Sequence, residues 1–212
     1  MCGRYSCLTE QEIIDIREII QNVSLRILND DFTDYAMPMG DGEIRPTNHA
    51  PVIIGKGQGA VSFESLRWGF KKWDGKGQPI INARVETLET VNMFAPLLQA
   101  GRCVVPAGEY YEWKQAGDNK SKHFIKDKEG NLLFMAGLYR DADVGREFVI
   151  ITKDAAGDVV DVHDRMPVIL RVSQIEDWLS GRLSPDDIVK QDFNAHVELC
   201  DGEFEQLILI PN

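Results

Sequence analysis

Between Cys103 and Thr152 the chain passes through strand pattern after strand pattern without a helical one. The expected strands are Cys103–Pro106, Glu109–Lys114, Lys122–Asp127, Asn131–Tyr139 and Glu147–Thr152, with Lys128-Glu129-Gly130 as a hairpin turn. Strands that cluster this way, without regular strand–helix alternation, argue against a doubly wound parallel sheet. They predict an α+β fold with a curved, largely antiparallel sheet flanked by helices.

The flanks supply the helices. Thr9-Glu10-Gln11-Glu12 reads as a capping box, and Ile13, Ile16 and Ile20 follow at helical spacing, so a helix is expected over about 10–21. Pro51–Ile54 and Ala60–Trp68 read as strands around the Gly55–Gly59 turn, with a loop over 71–79. Glu86–Ala100 fits a helical segment, Asp154–Val162 a short helix, and Val168–Leu170 a short strand. Ser173–Leu179 reads as a helix capped by Ser173, another helix starts at Ser184-Pro185, and His196–Cys200 is a last strand. Residues 29–50 are polar and turn-rich around Met37-Pro38-Met39-Gly40. With no repeat, low-complexity tract or linker, one domain over 1–212 is expected.

The formal net charge is −11, which argues against generic polyanion binding; a nucleic-acid ligand would need a local cleft of arginines and aromatics. No apolar run is long enough for a membrane helix, and the start Met1-Cys2-Gly3-Arg4-Tyr5 lacks a signal pattern. A cytoplasmic monomer is the expectation. Cys2, Cys7, Cys103 and Cys200 match neither a zinc pattern nor a disulfide framework, so free thiols, no metal and no cofactor are expected, with the last three as buried apolar residues.

Cys2 carries a chemistry that internal cysteines lack. Once Met1 is removed, an α-amine and a thiol sit on adjacent carbons. An aldehyde condenses with the amine to an imine, and the thiol then closes a five-membered thiazolidine. Both groups titrate near pH 8 in their ordinary states, and the second attack is intramolecular.

Four segments join that cysteine: Cys2-Gly3-Arg4, Asn82-Ala83-Arg84-Val85-Glu86-Thr87, Arg102 through Trp113 (including Tyr110-Tyr111-Glu112-Trp113), and His163-Asp164-Arg165-Met166-Pro167. Together, and in this order, they resemble the SRAP family, the SOS response-associated peptidases or abasic site processing proteins. The resemblance implies a barrel-like sheet and a protein that cross-links itself to abasic sites in single-stranded DNA after removing its own Met1. It implies Cys2 as the nucleophile for both steps, with Asn82, Glu112 and His163 completing the site. It also implies Arg4, Arg84 and Arg165 as phosphate ligands, and Pro46 and Trp68 as an apolar wedge beside the lesion, with core packing an equal alternative for Trp68. Lys71, Lys72 and Trp73 would extend that surface.

The residue types suit those roles. An abasic deoxyribose is mostly a closed hemiacetal, and opening it needs a proton on the ring oxygen, which a histidine supplies near neutral pH. A carboxylate between Tyr111 and Trp113, on the face shared with Tyr110, gains a raised pKa if that face is buried. Asn82 offers both a donor and an acceptor to the Cys2 amine or the opened sugar. A guanidinium grips phosphate bidentately.

The chain departs from the family where Gly108 falls one residue early and Glu109 takes its place, which makes Glu109 a rival carboxylate. It also has Phe70-Lys71-Lys72-Trp73 after Trp-Gly, and Arg45-Pro46-Thr47-Asn48 where Ala-Pro-Thr-Gln is more usual. Two other functions fit the same residues: a cysteine peptidase acting in trans, and a non-catalytic single-stranded nucleic-acid-binding module.

Overall fold

The structure, a computed structural model, describes residues 2–31, 42–72, 75–117, 119–143, 145–190 and 193–206. The segment Met37-Pro38-Met39-Gly40 and Trp73 lie outside the described residues. In chain order the elements are β1 (Arg4–Ser6), α1 (Glu10–Asn22), β2 (Arg26–Asp30), β3 (Glu43–Ile44), β4 (His49–Gly57), β5 (Ala60–Trp68), β6 (Asn82–Arg84), α2 (Leu97–Ala100), β7 (Arg102–Ala107), β8 (Glu109–Ala116), β9 (Asn119–Asp127), β10 (Leu133–Ala142), β11 (Gly145–Asp154), β12 (Arg165–Pro167), α3 (Ile175–Leu179), α4 (Pro185–Val189) and β13 (Ala195–Gln206).

The strands form two sheets. The smaller runs β13-β9-β8-β1-β3. The larger runs β12-β11-β10-β7-β4-β5-β2, with β6 beside β11. Strand β11 also pairs in parallel with β5, Glu147 opposite Arg67 and Phe148 opposite Trp68, which closes β5, β4, β7, β10 and β11 into a ring. The sheet is therefore barrel-like and, apart from the pairings of β5 with β2 and β11 and of β6 with β11, antiparallel among the described strands.

Alternate residues of the ring strands enter two different cores, because successive side chains point to opposite faces. Ile53, Phe63, Val104, Phe134, Ala136, Val149 and Ile151 pack with Ile16 and Ile20 of α1 and with Ile175 and Trp178 of α3. Their neighbours Val52, Ile54, Cys103, Val105, Met135, Phe148 and Ile150 pack with Cys2, Tyr5, Tyr110 and Ile125 of the smaller sheet. Both faces of these strands are covered, which explains their continuous apolar runs.

The helix at residue 10 forms as its capping box predicts. The Glu12 amide donates to Thr9 Oγ1, and Glu12 Oε2 accepts from the Thr9 amide at 2.7 Å. Ser184 caps α4 with Pro185 in its first turn. Other expectations are corrected. Glu86–Ala100 is not one helix but a 3-10 turn at Val85–Thr87, further turns, and the short α2. Pro96 has no amide hydrogen, and Thr87, Thr90 and Val91 are β-branched, so a continuous helix there is poorly supported. The α3 N-cap is Gln174 rather than Ser173. Asp154–Val162 contains a 3-10 turn, Gly157–Asp161. Between Val162 and Leu170 the strand is Arg165–Pro167, with Ile169 making only an isolated bridge to Met135.

The turn at Lys128-Glu129-Gly130 exists, but it joins no hairpin. Gly130 has φ +81°, and Asp127 Oδ1 accepts from the Glu129 and Asn131 amides. Strand β9 pairs with β8 and β13 while β10 pairs with β7 and β11, so this turn carries the chain from one sheet to the other. Cys7 and Cys103 are buried as expected, whereas Cys200 is only partly so. Among the described residues no helix is long and apolar enough to cross a membrane, and no cluster of His, Cys, Asp or Glu could hold a metal ion.

Candidate active site

The site forms where the two sheets meet the chain's start. Cys2 precedes β1, and β1 pairs with β8 so that Arg4 lies opposite Tyr111 and Tyr5 opposite Tyr110. That register sets the N-terminus beside the strand bearing Glu112. On β8 the burial alternates: Tyr110 and Glu112 are buried, Tyr111 and Trp113 only partly. Glu112 thus faces inward, as strand alternation predicts.

Asn82 arrives from the other sheet. Strand β6 runs parallel to β11 with Asn82 opposite Ile150, and Asn82 Nδ2 donates to the Cys2 carbonyl at 2.8 Å. Asn82 Oδ1 is buried and has no hydrogen-bond partner among the described residues, so it remains an acceptor inside the site. His163 enters from the turn between β11 and β12, where its amide donates to Val159 O at 3.0 Å. Its Nε2 lies 4.0 Å from Glu112 Oε2. Cys2, Asn82, Glu112 and His163 are therefore gathered from four separate stretches of sequence.

The electrostatics suit proton exchange. Glu112 is 3% exposed, and burial pushes its carboxyl up to about 7, against the opposing charge of the N-terminal ammonium. It can hold or release a proton near neutral pH. Cys2 is fully buried; burial first, then the Glu112 charge, raises its thiol well above the usual range. His163 is partly exposed, and burial, followed by the N-terminal charge, lowers its pKa. Its Nδ1 faces two groups: the Arg165 amide donates to it at 3.0 Å, and Asp164 Oδ1 lies 2.7 Å away. The amide suits a neutral ring whose proton is on Nε2, facing Glu112; the carboxylate suits the imidazolium. Both charge states of this ring thus have a partner in place.

The rival carboxylate is excluded. Glu109 accepts from Tyr111 Oη at 2.6 Å on the face of β8 away from Glu112. Gly108 precedes β8 and lies close to the Glu12 carboxylate, the end of a flexible side chain that could move aside for a Cβ.

The expected DNA-contacting residues are not all placed alike. Arg4 is partly exposed, its guanidinium 4.6 Å from the centre of the Trp113 ring and 3.2 Å from Glu43. Arg84 is exposed at the end of β6, two residues from Asn82. Pro46 is partly buried in the turn between β3 and β4. Trp68 is fully buried, its ring 5.0 Å from Tyr5 and its indole N–H donating to Ile81 O at 3.0 Å. It is a core residue here rather than an exposed wedge, because alternation along β5 turns it toward the smaller sheet. Arg165 is buried too. Its guanidinium forks onto Glu86 at 2.8 and 2.9 Å and also meets Asp154 and Thr152 O, so both Nη groups are engaged by protein, while Nε is buried without a partner among the described residues. Lys71 and Lys72 are exposed.

Sequence reading missed Glu43. This acid is 5% exposed, yet it gathers Arg4, Arg45 and the buried Lys122, the last of which also lies over the Tyr111 ring. Nothing in its local sequence announces that role; its partners come from β1, β9 and the turn after β3.

Comparison with known proteins identifies the family. The family model for SOS response associated peptidase (SRAP) matches residues 1–200. The abasic site processing protein YedK of Escherichia coli is 33% identical over 192 residues, 87% of this chain and 82% of its own. The abasic site processing protein YoqW of Bacillus subtilis is 32% identical over 205 residues, 90% of this chain and 85% of its own. Among solved structures, a phage-related protein of Bordetella bronchiseptica superposes with a TM-score of 0.72 at 26% identity, covering 95% of both chains. A protein of Bacteroides thetaiotaomicron shares the fold at a TM-score of 0.71, 21% identity and 95% and 93% coverage. The chain belongs to the SOS response associated peptidase (SRAP) family.

Proposed function

We propose that this protein captures abasic sites in single-stranded DNA covalently, through a thiazolidine formed by Cys2 after the chain removes its own Met1. The observation that carries the reading is the convergence on Cys2 of a neutral amide, a buried carboxyl poised near pH 7 and an imidazole. The names of the relatives, abasic site processing proteins, support the substrate class.

In this mechanism His163 protonates the ring oxygen of the closed sugar and frees its aldehyde. The Cys2 amine, its proton taken by Glu112, adds to the aldehyde carbon. Loss of one water leaves an imine. The Cys2 sulfur then bonds to the imine carbon, the C=N pair moves to nitrogen, and nitrogen takes a proton to complete the ring. Asn82 holds the Cys2 carbonyl through Nδ2 and leaves Oδ1 for an amine or sugar hydroxyl. Removal of Met1 uses the same sulfur as nucleophile on the Met1 carbonyl, with hydrolysis of the resulting thioester. Arg4 and Arg84 grip the flanking phosphates.

Incubation with an abasic single-stranded oligonucleotide, followed by denaturing electrophoresis, tests the reading. The expected species has the summed mass of protein and DNA less one water, and both the Cys2→Ala variant and prior borohydride reduction of the sugar abolish it. Absence of a covalent species from wild-type protein lacking Met1 would overturn the proposal.

A further inference from the structure

We propose that Tyr110 belongs to the reactive centre, its hydroxyl donating a hydrogen bond to the Cys2 sulfur when the thiol has lost its proton. This rests on the reading of Cys2 as the nucleophile and names a group that the sequence motif did not single out for chemistry.

Tyr110 is fully buried, and its hydroxyl has no hydrogen-bond partner among the described residues. A buried phenol left unpaired loses its hydration without compensation, so such a group calls for an explanation. Its position suggests one. It shares the inward face of β8 with Glu112 and lies opposite Tyr5 on β1, in the core cluster that holds Cys2. Both the Cys2 and Glu112 charges act on it, after burial, to keep the phenol protonated. It is thus a neutral donor in the same core as two groups that carry negative charge at different points of the proposed reaction. The charged and titratable groups around this core include Cys2 and the N-terminal ammonium, Tyr5 from β1, Cys103 from β7, Glu112 from β8, and His163 and Asp164 from the turn before β12.

The thiol itself donates, at 3.8 Å, to Arg4 O, an acceptor that cannot stabilise a thiolate. When Glu112 accepts the Sγ proton, the sulfur becomes an anion in a dry pocket, and a charge-assisted O–H···S⁻ bond from Tyr110 offsets that cost. The sulfur pair then forms the C–S bond, the imine nitrogen receives the displaced pair, and Glu112 returns its proton to that nitrogen. Tyr110 keeps its own proton throughout.

The test is Tyr110→Phe, which removes the hydroxyl and keeps the ring. The readout is the rate of Cys2 alkylation by iodoacetamide against pH, followed by mass spectrometry, with Cys200 as internal control. Alkylation of Cys2 should slow about tenfold across the pH range, as a rise of about one unit in the thiol pKa requires, while Cys200 stays unchanged and the melting temperature does not fall. An unchanged Cys2 profile overturns the inference. So does equal acceleration at Cys2 and Cys200, which signals loosened packing. Alkylation needs no DNA, so a shifted profile beside a failure to capture abasic DNA would refute the proposed function while leaving Tyr110 in the centre.

Discussion

Replacing Glu112 by glutamine should stabilise the fold in alkali while abolishing its chemistry. An ordinary glutamate titrates at 4.5, and this one at about 7, chiefly through burial. The folded state therefore binds the carboxyl proton more tightly than the unfolded state between those values. Stability must fall as pH rises through that window, because the native chain holds the extra proton. Below 4.5 both states are protonated and the group contributes nothing; above 7 the full cost is present. A separation of about 2.5 pH units at 1.36 kcal/mol each gives about 3 kcal/mol. Glutamine mimics the protonated form and escapes that cost. Urea unfolding of wild type and Glu112→Gln at pH 4.5 and at pH 8.5 checks this directly. The two should be similar at the lower pH, and the variant more stable by up to about 3 kcal/mol at the higher one, with no covalent DNA adduct at either. Equal stabilities at pH 8.5 would show that Glu112 is not held protonated by burial.

Trp68→Ala should cost about 3–5 kcal/mol, as expected for truncating a buried Trp, and lower the melting temperature of DNA-free protein; an exposed wedge would leave that temperature unchanged. Asn82→Ala removes the bond to the Cys2 carbonyl and should cost about 1 kcal/mol of stability by urea unfolding. Its larger effect should be on capture rate, measured in single-turnover reactions. Arg4→Ala should weaken reversible binding of the Cys2→Ala protein to single-stranded DNA and reduce the slope of log affinity against log salt by about 0.7. Arg165→Ala, whose guanidinium is already paired with Glu86 and Asp154, should leave that slope unchanged and lower stability instead.

The parts of this molecule legible in its sequence are those set by near neighbours. Thr9 and Glu12 announce α1 because a capping box is a contact between residues three apart. Glu112 is traceable because alternation ties its face to that of Tyr110. The turn at Gly130 is equally visible, but whether its two strands pair depends on partners far along the chain, so a hairpin was the wrong expectation. Arg165 shows the same limit. Beside His163 it reads as a phosphate ligand, yet Glu86, 79 residues earlier, occupies it. Glu43 was invisible because Arg4, Arg45 and Lys122 meet it only after β1, β3, β8 and β9 have come together.

Strand β11 holds β5 and β6 in parallel and is followed directly by the turn that carries His163. Asn82 and the imidazole thus owe their places to one late segment, although the sulfur they serve is among the first residues synthesised. A growing or half-folded polypeptide consequently has a cysteine at its head but no apparatus to use it. On the proposed function, assisted capture of an abasic sugar requires the closed ring that brings Asn82 and His163 to Cys2, so covalent capture would serve as a readout of finished folding.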